Sequence, residues 1–196
     1  MSFKINDTKF NLSRDNNFIV KSYKNDYSVY FNQDNILDQL SNLYQEGDFI
    51  IIDKKVYQLY NFRYNKFKCY QIDANENNKN IYSSLKIIDQ LLEDNFNKSN
   101  KLIVIGGGIV QDISTLVACI YKRGIKWIFF PTTLLAMCDS CIGAKSSINH
   151  GDAKNQLGVF YPPNKIYINT NFLKTLELND VKSGLGEIIK LFLLGG

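Results

Sequence analysis

Three consecutive glycines, Gly106, Gly107 and Gly108, follow the apolar run Leu102 to Ile105 and precede a second apolar, periodic segment. That order reads as a buried strand, a turn and a helix start. Without Cβ atoms the glycines are free to take positive φ and to let the backbone approach a ligand. The unpaired N–H groups and dipole of a helix start favour an anion. The spacing is not GxGxxG, so a phosphate cradle and a plain tight turn both stay open on these residues alone. Asp112 falls one turn into the expected helix, where the dipole favours a carboxylate.

Further polar groups gather downstream. Thr132 and Thr133 follow Pro131 and offer two hydroxyls, as helix caps or as hydrogen bonds to a ligand. The segment from Asp139 to Asn155 reads as a loop that concentrates Asp139, Lys145, Asn149, Lys154 and Asn155 among glycines and small residues. Its two lysines and its amides suit a ligand carrying phosphate and carboxylate, although a solvated charged loop has the same composition. Glu187 and Lys190 lie three apart on an expected helix, hence on one face. Asp53 ends the run Phe49 to Ile52, the place where doubly wound nucleotide folds put the acceptor for a ribose diol; a solvated turn aspartate fits the position equally.

Composition narrows the classes. The 196 residues carry 23 basic and 19 acidic side chains, a net charge of +4, with the lysines scattered, so nucleic acid is not implied. No stretch is apolar for the ~20 residues a membrane span needs. Cys69, Cys119, Cys138 and Cys141 sit in a sequence without a recognisable signal peptide, and a reduced, cytoplasmic chain is expected. Cys138 and Cys141 form a CxxC, but a structural zinc site needs a second ligand pair and His150 is the one histidine.

The elements that must position these groups follow from periodicity. Phe18 to Tyr23 and Tyr27 to Phe31 alternate as an edge hairpin. Asp34 is expected to cap a helix running to about Gln45 and ended by Gly47. Phe49 to Ile52 reads as a buried parallel strand, Phe67 to Ile72 as another, and Ile81 to Asn95 as a helix with Leu85, Ile88, Leu91 and Leu92 on its apolar face. Strand 102–105, the glycines, a helix to Ile120 and strand Trp127 to Phe130 continue an alternation that implies an open α/β sheet covered on both faces. Asn179 is expected to cap a last helix running to about Leu194.

Several spaced segments, GGGIVQD (106–112), YKRG (121–124), PTTLLAMCDSCIGAKSSIN (131–149), AKNQLGVFYPP (153–163), INTNFLKTL (168–176) and GLGEIIK (184–190), together resemble the 3-dehydroquinate synthases and the wider sugar-phosphate cyclases. The resemblance implies a Rossmann-like, NAD-binding parallel-sheet domain over residues 1–177. Residues 178–196 would then be the first helix of an α-helical metal and substrate domain whose remainder is absent. It implies NAD contacts from Asp53, Glu76, Lys79, Gly106, Gly107, Gly108, Asp112, Thr132 and Thr133. A divalent metal, zinc or cobalt, would be held in part by Glu187. A phosphorylated sugar acid or sugar would be bound by Asp139 and Lys190 at its hydroxyls and carboxylate, by Lys145 and Asn155 at its phosphate, and by Lys154 at a nearby anion. Arg123 would reach the phosphate of a neighbouring subunit, which implies a homodimer of the full-length form. Three departures stand out: Asn75 where a GExxK motif has glycine, Gln111 where the family has glycine, and Gly143-Ala144-Lys145-Ser146-Ser147 in place of GGKTG. The last leaves open a cyclase acting on sedoheptulose 7-phosphate or glucose 6-phosphate, or a catalytically incomplete NAD-binding fragment.

Overall fold

The computed structural model describes residues 2–5, 8–11, 17–64 and 67–195. In chain order the elements are β1 (Ser2–Ile5), β2 (Thr8–Asn11), β3 (Asn17–Val20), β4 (Tyr27–Asn32), α1 (Ile36–Leu43), β5 (Phe49–Asp53), α2 (Lys54–Leu59), β6 (Cys69–Ile72) and α3 (Ile81–Glu93). They continue with β7 (Leu102–Gly106), α4 (Gly108–Ile120), β8 (Trp127–Pro131), β9 (Lys145–His150), β10 (Ala153–Phe160), β11 (Lys165–Asn169) and α5 (Leu178–Gly195). A seven-stranded sheet runs in the order β3-β4-β11-β8-β7-β5-β6, while β1–β2 and β9–β10 form separate two-stranded pairs. All pairings in the large sheet are parallel except the edge pair β3–β4.

The central strands explain themselves. Phe49 to Ile52, Leu102 to Ile105 and Trp127 to Phe130 are continuous apolar runs with every side chain buried, as a sheet covered on both faces requires. Each such side chain removed from water contributes about 1.5–3 kcal/mol, so these runs anchor the order of the whole sheet. The expected edge hairpin is present. Its turn is held by the Asp26 carboxylate, which accepts from the Ser22 backbone N–H at 3.1 Å and the Lys21 ammonium at 2.6 Å.

Several boundaries differ from the sequence expectation. Asn35, not Asp34, caps α1, its side-chain oxygen accepting from the Leu37 and Asp38 N–H groups, and the helix ends at Leu43, before Gly47. In α3 the buried face is Ser84, Ile87 and Leu91, whereas Leu85 and Leu92 are 45% and 57% exposed. The buried stripe therefore lies about one residue round from the expected one. Asn179 lies inside α5, which begins at Leu178. The largest difference is the expected loop from Asp139 to Asn155, most of which is the β9–β10 hairpin. Ser146 and Ile148 alternate inward over α4, and the polarity of the rest concealed the period of two.

Candidate active site

The glycine turn works by closeness rather than by unusual dihedrals. None of Gly106, Gly107 and Gly108 has a positive φ. A Cβ on Gly106 would lie 2.5 Å from Val110 Cβ, and one on Gly107 would lie 2.9 Å from Thr133 Cγ2. The side chains of the first helical turn and of the next strand's exit fill the space that any other residue would need. Gly107 is the N-cap of α4 and provides no side-chain cap, so the first N–H groups of that helix are left for a ligand or solvent.

Around this turn the carboxyl ends of the parallel strands form a cleft. Asp53, Lys55, Thr132, Thr133, Thr175 and Asp180 line it together with apolar side chains. Asp53 also caps α2, accepting from the Lys55 N–H at 2.8 Å. Burial pushes its carboxyl pKa up, against the lowering effect of the backbone N–H groups of Lys55 and Val56. Thr133 does cap: its hydroxyl oxygen accepts from the Ala136 N–H at 3.2 Å. Lys55 pairs across the cleft with Glu177, which precedes α5.

On the other side of the α4 start, five of the sequence-predicted side chains meet. Lys79 is 9% exposed; its ammonium lies 2.7 Å from Asp112 Oδ2 and donates to Asn155 Oδ1 at 2.8 Å. Asp112 Oδ1 accepts from the Ser147 N–H at 3.2 Å. Asn149 donates to Glu76 Oε1 at 2.9 Å, and its own oxygen accepts from the Asn155 N–H at 2.9 Å. Asn155 takes the left-handed conformation, φ 57°, inside an irregular stretch of the β9–β10 ladder between Ala153 and Leu157. A bulge there turns the amide toward Lys79. Asn75 fills its departure without strain: φ is −117° and its side chain accepts from the Asn78 N–H at 3.1 Å, so glycine is not needed for the backbone.

Asp139 sits in a π-helical turn, Ala136–Ser140, that packs on α5. Gly184 of α5 is required there, since a Cβ would meet Leu134 Cβ at 2.6 Å. Glu187 and Lys190 form the expected i,i+3 ion pair, and that contact first, then the Glu187 and Asp139 charges, raise the Lys190 pKa. Among the described residues no group of three or more His, Cys, Asp or Glu could hold a metal ion.

Lys154 is exposed and lines a cleft with Glu76 and Asn149. Other expected site residues are not brought in: Lys145 is exposed. Arg123 lies at the far end of α4 from the glycines, about 20 Å away at ~1.5 Å per residue. It stands in a turn where Lys122, Arg123 and Gly124 have φ 47°, 64° and 102°. All four cysteines are free, and burial pushes Cys141 to about 12. Sequence reasoning missed Gln111 and Ser140 as a bonded pair, and Lys55, Thr175 and Asp180 as cleft residues. The segment 168–176 was the available signal for Thr175.

The fold places the chain among known structures. It superposes on 2-deoxy-scyllo-inosose synthase complexed with carbaglucose-6-phosphate, NAD+ and Co2+, at TM-score 0.76 and 20% identity over 89% of this chain and 50% of that one. It also superposes on 2-epi-5-epi-valiolone synthase from Streptomyces hygroscopicus subsp. jinggangensis 5008, with NAD+ and Zn2+ bound, at TM-score 0.75 and 28% identity over 88% and 51%. These structures share the class of fold, a doubly wound sheet of the sugar-phosphate cyclase type. Residues 69–183, more than half of the chain, match the family model described as 3-dehydroquinate synthase N-terminal, and the chain belongs to that family. The 3-dehydroquinate synthase of Clostridium tetani is 38% identical over 183 residues, covering 87% of this chain and 48% of that protein. The Dichelobacter nodosus synthase is 43% identical over 119 residues, covering 61% and 32%. The chain thus spans about half, or less, of the length of these relatives. No helix among the described residues is long and apolar enough to cross a membrane.

Proposed function

We propose that this chain is the cofactor-binding half of a 3-dehydroquinate synthase, which converts 3-deoxy-D-arabino-heptulosonate 7-phosphate to 3-dehydroquinate and phosphate. The observation that carries this reading is the α4 start: an uncapped helix N-terminus approached through Gly106 and Gly107, whose Cβ positions are already occupied, beside the Lys79–Asp112 pair. Such a cradle fits the pyrophosphate of NAD. When bound, NAD supplies a hydride acceptor that turns a ring hydroxyl into a ketone, which acidifies the adjacent C–H so that phosphate can leave.

The chain's own residues bind and orient. Asp53 accepts hydrogen bonds from a ribose diol while it caps α2, and Thr132 and Thr133 line the same cleft. Glu76 and Lys79 sit on the nucleotide's other side, where the Lys79 ion pair orients the Asp112 carboxylate. Asp139 and Lys190 meet the ring hydroxyls and carboxylate, Lys145, Lys154 and Asn155 the anionic groups, and Arg123, beyond the far end of α4, the phosphate of a second copy in a homodimer. A catalytic zinc or cobalt needs three protein ligands, and among the described residues Glu187 belongs to no group of three His, Cys, Asp or Glu that could hold one.

One observation favours a neighbouring substrate. Ala144, in the segment that replaces GGKTG, occupies φ 61°, so the loop beside Lys145 differs in chemistry from the family's glycine-rich form. A sedoheptulose or glucose phosphate is the alternative substrate. Phosphate release from the heptulosonate phosphate, assayed with NAD and cobalt, tests the half-site reading. No turnover is expected from this chain alone, and chelator-sensitive turnover overturns it.

A further inference from the structure

Gln111 is 4% exposed in the first turn of α4, and both ends of its amide are engaged by one residue. Its Nε2 donates to the Ser140 carbonyl at 2.6 Å, and its Oε1 accepts from the Ser140 hydroxyl at 2.8 Å. Ser140 closes the π turn that carries Asp139, in which the Cys141 N–H reaches back five residues to the Ala136 carbonyl at 3.1 Å. A π turn is a rare conformation that an α-helix would normally displace, and it persists where surrounding contacts over-determine it. The Ser140 hydroxyl oxygen also lies 3.8 Å from where a Cβ on Gly108 would stand, so the clamp sits against the glycine turn itself. The opposite side of the π turn rests on α5, where the Cys138 thiol lies 3.9 Å from the Gly184 carbonyl oxygen.

We propose that Gln111 is the positioning residue of Asp139: acting through Ser140, its amide holds the π turn in register between the glycine turn and α5, and so fixes where the Asp139 carboxylate points. This rests on the reading of Asp139 as a substrate-facing group, but the clamp itself is testable without substrate or cofactor. Glycine, the residue the family resemblance expects here, can make neither bond. This chain therefore anchors the turn by a side chain that the family pattern lacks.

Cys138 and Cys141 flank Asp139 and report on the turn, whereas Cys69 starts β6 and Cys119 lies two turns beyond Gln111 on α4. Alkylation by iodoacetamide, read at each cysteine by peptide mass spectrometry on the chain as it stands, separates local from global loosening. Gln111→Met keeps the volume and loses both hydrogen bonds; Ser140→Ala loses one of them. Each is expected to speed Cys141 alkylation about tenfold or more, equivalent to ~1.4 kcal/mol of local opening, with Cys69 and Cys119 unchanged. The double variant should be no faster than Gln111→Met, because the two residues act as one unit. Unchanged Cys141 alkylation in both single variants, a parallel rise at all the thiols, or additive effects in the double variant each overturn the proposal. Should Gln111→Met fail to fold, Ser140→Ala alone decides by the same criterion. NAD titration of the parent chain tests the cofactor reading without any clamp variant, so failure of the clamp and failure of the cofactor reading are distinguishable.

Discussion

Lys79 and Asp112 form an ion pair at 2.7 Å with side chains only 11% and 19% exposed, joining the segment before α3 to the second turn of α4. Lys79 also donates to Asn155, so three separate stretches of chain converge on one ammonium group. Removing one partner of such a pair leaves the other charge shielded from water and uncompensated, a loss of up to ~3–5 kcal/mol when fully buried. With the residual exposure seen here, Lys79→Met or Asp112→Asn should each destabilise the chain by about 2 kcal/mol, read from urea unfolding midpoints. The double variant should lose much less than the sum, and strict additivity would show that the pair contributes nothing as a pair.

The closeness at the glycine turn can be tested by making room. Gly107→Ala places a methyl 2.9 Å from Thr133 Cγ2 and should cost about 1–3 kcal/mol by overpacking. Thr133→Ser removes that Cγ2 while keeping the hydroxyl that caps Ala136, and in combination it should restore most of the loss. Absence of rescue in thermal unfolding would place the strain elsewhere.

Much of this arrangement was legible in the sequence, and the reasons are particular. The three central strands were readable because Phe49 to Ile52, Leu102 to Ile105 and Trp127 to Phe130 are apolar without interruption. Glu187 and Lys190 were readable because helical spacing alone puts them together. The β9–β10 hairpin was not, since its exposed strand β10 carries Lys154, Asn155 and Gln156 and offers no apolar alternation. Nor could spacing show that Lys79 and Asp112 meet, because that contact is set by the order of strands in the sheet rather than by the local chain. The glycines were recognised for the right place and for close approach, but the positive φ offered for them is absent, and at Gly106 and Gly107 space alone excludes a side chain.

Ala144 marks a site where the native residue is strained. At φ 61° an L side chain costs roughly 1 kcal/mol that glycine does not. Ala144→Gly should therefore stabilise the chain by up to about 1 kcal/mol, partly offset by the greater freedom of glycine when unfolded. A lowered melting temperature would contradict this.

Asp53 ties stability to the proposed function. Burial raises its folded-state pKa above the unfolded value, so the folded chain binds the proton more tightly and stability falls as pH rises through the window above the unfolded pKa. Asp53→Asn keeps an N-cap oxygen for the Lys55 N–H and removes the shielded charge. Compared with the parent, the variant should be relatively more stable at pH 7 than at pH 4 and should bind NAD more weakly. Urea midpoints at the two pH values check the first statement, and an unchanged difference between them contradicts it.

Calorimetric titration of the folded chain with NAD bears most directly on the cofactor-binding assignment. Saturable heat with a dissociation constant below about 1 mM is expected, weakened at least tenfold by Asp112→Asn, the residue held by Lys79 beside the glycine turn. A chain with a cooperative unfolding transition that shows neither heat nor thermal stabilisation at millimolar NAD would contradict it.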